Sequence, residues 1–202
     1  MAFFRVRHVE ILGARYTAAA DVVERLRIDT LASVWDATAP LEARLSRHPL
    51  VRGVTVERKL PGTLVVRLDE HVPVALVPAA NGFSAYDERG VALPIDPSIA
   101  DVDAPILARP DRAILKLLAS ARVQAPDLYR RVSEIRRGAD STGTSAGELL
   151  FILDSLPVRT LTDVSLQQLE NLELVERDLV RRNLRATELD LRYRDQVIAR
   201  LK

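Results

Sequence analysis

The sequence predicts an α+β protein with two parts, and three patterns carry this prediction. The first seventy residues follow the order strand, helix, helix, strand, strand. After Pro73 the chain is dominated by short strand patterns separated by turn residues, and helical patterns interrupt them. We therefore expect a βααββ module at residues 1–72 and a β-rich domain with flanking helices at residues 73–202.

The chain is predicted to open with a strand over residues 4–13, where apolar and charged side chains alternate. Phe4, Val6 and His8 would share one face of this strand. Gly13 would end the strand, because glycine can adopt a positive φ and turn the chain.

Two helices are expected next. Thr17 is a good N-cap for a helix over residues 18–27, and a second helix is predicted over residues 40–47. The pair His48-Pro49 would end the second helix, since a residue before proline avoids the α region. Trp35 lies between the two helices and is predicted to fill the core.

The clearest local pattern is a β-hairpin. Strand patterns over residues 54–58 and 64–68 flank the tetrapeptide Leu60-Pro61-Gly62-Thr63. Proline fixes φ at the first central position of a type II turn, and glycine supplies the positive φ needed at the second. The sequence therefore predicts a type II turn at Pro61 and Gly62.

The second part begins with strands predicted over residues 75–77, 83–86 and 91–93, followed by an irregular proline-rich loop over residues 94–105. Asp111 can cap a helix that runs to Val123 and is interrupted at Pro126. Strands over residues 132–137 and 148–153 would flank a glycine- and serine-rich loop. That loop lacks the lysine of a phosphate-binding loop and is interpreted as a hairpin loop.

The C-terminal region combines one helix and two strands. Ser165 and Gln168 have the spacing of a capping box, which opens a helix that runs to Arg181, and Asn183 can adopt the left-handed stop. The leucine stripe of this helix is too short for a coiled coil and is expected to pack on a sheet. Alternating residues from 188 to 194, a turn at Asp195-Gln196 and a strand over residues 197–201 complete the chain.

Charge and composition exclude several function classes. The 29 basic and 28 acidic residues leave a net charge of +1, which argues against a dedicated nucleic-acid-binding protein. Absent cysteines exclude disulfides, thiolate metal sites and a cysteine nucleophile. The three histidines, His8, His48 and His71, lack metal-ligand spacing. Of the 29 basic residues 26 are arginine, which we interpret as genome composition, because acidic residues balance them.

No membrane anchor is expected within this chain. The longest uncharged stretch, residues 71–86, contains two prolines and a glycine, whereas a spanning helix needs about 20 mostly apolar residues. The first residues also lack the apolar core of a signal peptide. The protein would therefore be cytosolic, or its sequence would start after a lost targeting segment.

The order and spacing of these motifs resemble the POTRA domain of the FtsQ/DivIB cell-division family. The resemblance covers residues 4–95 and resumes near the C-terminus, where residues 189–193 look like the family's penultimate strand. Its signature residues are Gly13, His48, Pro49, Arg58, Pro61, Gly62, Glu70 and Pro73.

The resemblance implies a non-enzymatic division scaffold of the cell envelope without a cofactor or a nucleic-acid partner. Family members are single-pass inner-membrane proteins whose POTRA and β domains lie on the periplasmic side, and this chain departs from them by lacking the spanning helix. They bind FtsB- and FtsL-type proteins through the C-terminal β edge and link them to septal cell-wall synthesis. The corresponding residues here are Tyr193, Gln196, Val197, Ile198, Ala199, Arg200 and Leu201.

From the residues alone, two interpretations of the last strand stay open. An edge strand can pair with a partner strand, or it can be a protected edge blunted by Arg200 and Lys202. Two other functions are also considered. The first is a POTRA-containing protein of outer-membrane protein insertion or secretion, and the second is an envelope enzyme with an unrecognised site.

Overall fold

The computed structural model of this protein describes residues 4–29, 31–138, 147–193 and 196–202. It has the mixed α+β class that the sequence predicts. The chain forms two compact units. Unit 1 extends to Val72 and includes Leu93–Ile95, and unit 2 comprises Pro73–Ala92 and Asp96–Lys202.

Unit 1 has the predicted βααββ order. Its elements are β1 (His8–Leu12), α1 (Ala19–Leu26), α2 (Ala39–Leu45), β2 (Val51–Lys59) and β3 (Thr63–Glu70). In the sheet, β3 lies between β1, which is parallel to it, and β2, which is antiparallel. Val22 and Leu26 of α1 and Leu45 of α2 pack with Val66 and Leu68 of β3, so the helices cover one face of the sheet.

The opening strand is shorter than predicted, and its inward face is the opposite one. β1 starts at His8, and the preceding segment forms an isolated bridge between Arg5 and Ser33 instead of a strand. Val9 and Ile11 pack against the core, whereas His8 is exposed. The alternation that begins at Phe4 does not continue, because the irregular segment before β1 changes its phase.

The prediction that Thr17 caps the first helix is wrong. Ala18 occupies the N-cap position of α1 and provides no side-chain cap. Thr17 is instead buried, and its backbone N–H donates to the Glu70 carboxylate at 2.9 Å. A long-range acceptor therefore replaces the local cap that the sequence predicted.

The type II turn at Pro61 and Gly62 is also wrong. Gly62 does not have a positive φ. A Cβ atom at Gly62 would lie 2.7 Å from the Arg5 carbonyl oxygen, and the Gly62 carbonyl accepts the Arg7 N–H at 2.8 Å. Glycine is required here by the close approach of another backbone segment.

Trp35 does not fill the core. Its side chain is 60% exposed and makes an edge contact with the Phe4 ring at 5.9 Å. The neighbouring Val34 is fully buried instead.

Unit 2 contains one large sheet and four helices. Its strands are β4 (Ala75–Ala79), β5 (Gly82–Tyr86), β6 (Ala92–Leu93), β7 (Ile106–Leu107), β8 (Val132–Arg137), β9 (Glu148–Leu153), β10 (Leu156–Leu161), β11 (Ala186–Tyr193) and β12 (Gln196–Leu201). Its helices are α3 (Arg112–Gln124), α4 (Pro126–Arg131), α5 (Leu166–Glu170) and α6 (Leu172–Arg181). The sheet order is β12-β11-β10-β9-β8-β7-β4-β5-β6.

One row of paired residues shows how this sheet builds its core. Ile135, Phe151, Val158, Leu189 and Ala199 lie side by side across β8 to β12. The first four are fully buried, and side chains from all four helices pack into the same cluster. The core of unit 2 therefore lies between the helices and this face of the sheet.

Several local predictions in unit 2 are confirmed. Asp111 caps α3 by accepting the N–H groups of Ala113 and Ile114, and Ser165 and Gln168 form the capping box of α5. Asn183 has the left-handed φ of 55° expected after α6. The strands over residues 132–137 and 148–153 have the predicted bounds.

Other parts of unit 2 differ from the predictions. Pro126 does not simply interrupt a helix, because it begins α4, and the C-terminal helix is divided at Asn171 into α5 and α6. The strands β7 and β10 were not predicted. Three predicted features fall at least in part outside the described residues: the start of the chain before residue 4, the loop over residues 139–146 and the turn at Asp195.

None of the six helices in the described part of the chain has both the length and the apolar character that crossing a bilayer requires.

Candidate partner-binding edge

The predicted edge position of the last strand is confirmed. β12 pairs on one side with β11, to which it is antiparallel, and it is the terminal strand of the nine-stranded sheet. The pairing joins Leu189 to Ala199 and Asp190 to Ile198. Within the described residues no strand covers the other long side of β12, so this side can accept a further strand.

The side chains of β12 divide between the two faces of the sheet. Val197 and Ala199 are half-buried and pack against the core of unit 2. Ile198 is 44% exposed on the opposite face, and Leu201 is 48% exposed at the end of the strand. With Tyr193, which is 53% exposed on β11, they place three large apolar side chains at this edge.

The face that carries Ile198 is mainly charged beside β12. A second row of paired residues, Arg136, Leu150, Arg159, Asp190 and Ile198, crosses β8 to β12. Ile198 ends this row next to the carboxylate of Asp190. The edge therefore combines a backbone free to pair with an apolar side chain bordered by charged groups.

The charged side chains of β12 and its neighbouring strands form two groups of ion pairs. Arg159 Nε donates to Glu188 Oε1 at 2.8 Å, and Arg200 lies 3.5 Å from the same oxygen. Arg192 donates to both Asp190 and Glu148, with its shortest contacts at 2.6 and 2.5 Å. These contacts link β9, β10, β11 and β12 across the sheet.

Asp190 is 6% exposed, and its environment favours the charged carboxylate. Hydrogen bonds from the Arg192 side chain lower the pKa of Asp190 and outweigh the burial that raises it, and the positive charge of Arg159 lowers it further. A buried, ionised carboxylate therefore lies beside Ile198 on the neighbouring strand.

The Arg159–Glu188 ion pair was not predicted from the sequence, because Arg159 lies on the unpredicted strand β10. The pair Asp154-Ser155 is a sequence signal for β10, because both are common turn residues. Asp154 and Ser155 form a two-residue connection in which both φ angles are positive, at 48° and 80°, as in a tight hairpin. Pro157 argues against a strand at β10, since proline is normally absent from the interior of a strand.

The signature residues of unit 1 serve to hold its backbone. Gly13 has a φ of 81°, and a Cβ atom there would lie 2.1 Å from the Leu68 carbonyl oxygen. Arg58 Nε donates to the Val34 carbonyl at 2.8 Å, which fixes the loop between α1 and α2 to β2. Neither residue lies in unit 2, where the edge strand is.

The histidine and the three prolines of the signature lie in different environments. His48 Nδ1 accepts the Leu50 N–H at 3.2 Å, and burial together with the charge of Arg25 lowers the pKa of His48. Pro49 and Pro61 are exposed beside turns, whereas Pro73 is buried in unit 2, where its carbonyl accepts Arg122 Nη1 at 2.6 Å. In the described part of the chain, no three histidine or acidic side chains form a group that could hold a metal ion.

Comparisons with known proteins relate this chain to bacterial cell-division proteins. A model of the FtsQ-type POTRA domain matches residues 4–71. The chain is 29% identical over 221 residues to the cell division protein FtsQ of Rhodothermus marinus, a match that covers 97% of this chain and 77% of that protein. It is 32% identical over 104 residues to the cell division protein DivIB of Geobacillus kaustophilus, covering 50% of this chain and 40% of that protein.

The chain is therefore similar to FtsQ/DivIB proteins over nearly its whole length, and its first part matches the FtsQ-type POTRA model. The names of its relatives support a role in cell division. A solved structure of the major extracytoplasmic domain of DivIB from Geobacillus stearothermophilus also matches, with a TM-score of 0.39 and 20% identity, over 56% of this chain and 97% of that one. The residues matched by the POTRA model fall in unit 1, and the candidate edge lies in unit 2.

Proposed function

We propose that this chain acts as FtsQ/DivIB proteins do, as a non-enzymatic scaffold of the division machinery. Its β12 edge binds FtsB- and FtsL-type partners and thereby links them to septal cell-wall synthesis. The residues proposed for this contact are Tyr193, Gln196, Val197, Ile198, Ala199, Arg200 and Leu201. The observation that carries the proposal is a terminal strand with one side free in the described structure.

Strand addition suits this edge for two reasons. β12 has six residues, which allows a partner strand of roughly 20 Å to pair along its whole length. Exposed Tyr193, Ile198 and Leu201 then supply apolar surface that the partner covers. Backbone hydrogen bonds provide affinity in such complexes, and the flanking side chains provide specificity.

The proposed division of labour follows the two units. We assign residues 1–72 to the POTRA domain and residues 73–202 to the β domain that binds the partners. By family, we place both domains on the periplasmic side of the inner membrane in a single-pass protein. The separate cores of the two units are consistent with this assignment.

A proline substitution at the edge tests the proposal. Ile198→Pro removes a backbone donor and obstructs a strand ladder, so we expect the variant to lose FtsB-type partner binding in a pull-down from the same organism. Circular dichroism should show a folded protein. Retention of the partner by a folded Ile198→Pro variant would contradict the proposal.

A second substitution covers the case in which the proline variant unfolds. Ile198→Glu keeps the backbone donor and places a carboxylate beside Asp190, which should weaken binding at least tenfold by isothermal titration calorimetry. Phe83→Glu is the matched control, because Phe83 on β5 has a similar exposure of 43% and lies far along the sheet order. Equal losses in both variants would reject the edge as the binding site.

A further inference from the structure

Unit 1 contains two clefts that share a wall and that the edge proposal does not use. The smaller one, of about 260 Å³, is lined by Arg25, Arg27, Arg44 and Arg47. The larger one, of about 300 Å³, also includes Arg27 and Arg44 in its lining. Because the same two arginines line both, the clefts are contiguous.

The four arginines come together at the C-terminal ends of the two helices. Arg25 lies in the last turn of α1 and Arg44 in the last turn of α2, and Arg27 and Arg47 follow these helices closely. Arg44 is half-buried, and its Nη1 donates to the Leu26 carbonyl at 2.5 Å. Part of the cluster thus stabilises helix ends, where cations are favoured.

That role does not account for the other three side chains. Arg25, Arg27 and Arg47 are exposed, and the described residues give none of them an ion pair with a carboxylate. Several exposed arginines elsewhere have acidic partners, such as Arg52 with Asp69 and Arg67 with Glu57. Several like charges around one small cleft repel each other unless an anion binds between them.

The larger cleft supplies apolar surface next to this charge. Its lining includes Val6, Ile28, Ala37 and Leu41. Its two carboxylates, Asp29 and Asp36, accept the backbone N–H groups of Leu31 and Ser33, respectively. Leu31 and Trp35, which are exposed in the same loop, are not part of this lining.

We propose that these clefts bind an acidic peptide segment of a partner protein. Its carboxylates contact the guanidinium groups of the smaller cleft, and one apolar side chain enters the larger cleft. Planar guanidinium groups match carboxylates well. A peptide fits better than a membrane surface, because the apolar side chains line a concavity, whereas membrane insertion uses side chains that protrude.

A labelled octapeptide of glutamates with one central leucine is the probe, measured by fluorescence anisotropy with the full chain at low salt. We expect saturable binding, and at least tenfold weaker binding for Arg25→Glu/Arg47→Glu. The matched control, Arg52→Glu/Arg67→Glu, makes the same change in net charge on β2 and β3 and should bind within about twofold of the unaltered protein. Thermal melts establish that both variants are folded.

The apolar part is tested separately. Ala37→Trp fills the larger cleft and should weaken the leucine peptide several-fold, while leaving an all-glutamate peptide unaffected. Ile198→Pro should not change binding of either peptide, which separates this site from the β12 edge. Equal weakening by both charge-reversal pairs, or binding to phosphatidylglycerol vesicles without binding to the peptide, would overturn the proposal.

Discussion

Glu70 joins two parts of unit 1 that are more than fifty residues apart. Its carboxylate accepts the backbone N–H groups of Arg15, Tyr16 and Thr17 at 2.8–2.9 Å, and its side chain is almost fully buried. Burial raises the pKa of Glu70, but the hydrogen bonds from Thr17, Tyr16 and Arg15 outweigh it and the pKa is lowered. The end of β3 thus fixes the segment that leads into α1.

This contact predicts a pH-dependent contribution to stability. Glu70→Gln should lower the free energy of unfolding by about 1–3 kcal/mol at pH 7, because a buried charged acceptor is lost. The pKa of Glu70 is lower in the folded than in the unfolded state. Its contribution to the free energy of unfolding is therefore complete above the unfolded-state pKa, about 4.3, and disappears as the pH falls through the folded-state pKa. Urea unfolding of both proteins at pH 7 and pH 3 should show the difference shrinking. A constant difference would contradict this role.

At the scale of elements, α3 shows how a local signal holds in the folded structure. Asp111 accepts the Ala113 N–H at 2.9 Å, and Ile114, Leu115 and Leu118 of the helix are buried in the core of unit 2. Strand β10 shows the opposite case. Pro157 argues against a strand in the sequence, and β10 is defined instead by its pairing with β9 and β11. An element is therefore predictable from the sequence when its own residues provide its cap and its apolar periodicity.

The cap of α3 gives a prediction for this element. Asp111→Ala removes the acceptor for the first free N–H groups of the helix and should cost about 1 kcal/mol of unfolding free energy. Asp103→Ala, in the exposed loop before it, is the control and should change stability by less than about 0.5 kcal/mol. Urea unfolding followed by circular dichroism compares the two. Equal effects of both substitutions would show that the cap contributes nothing specific.

At the scale of the whole molecule, each unit has a core of its own. One cluster is built around Val22, Leu26 and Val66, and the other around Leu115, Phe151 and Leu189. The two proposed binding sites are likewise in different units, the arginine-lined clefts in unit 1 and the β12 edge in unit 2. We therefore expect a substitution at one site to leave binding at the other site unchanged.

Separate cores predict separate responses to a cavity. Phe151→Ala removes a fully buried ring and should destabilise unit 2 by about 3–5 kcal/mol. Hydrogen exchange followed by mass spectrometry should show faster exchange in peptides of unit 2, while peptides from β2 and β3 keep their protection. Loss of protection throughout the chain would instead indicate one cooperative unit.

Local patterns are sufficient for the order of elements in unit 1, the caps of α3 and α5 and the position of the last strand, because neighbouring residues specify periodicity, caps and turns. The folded structure, by contrast, sets the roles of Thr17, Gly62 and Trp35, the existence of β7 and β10, and the ion pairs of Arg159 and Arg192. It also brought four arginines from two helix ends around one cleft. These features depend on partners distant in sequence, so local sequence patterns do not predict them.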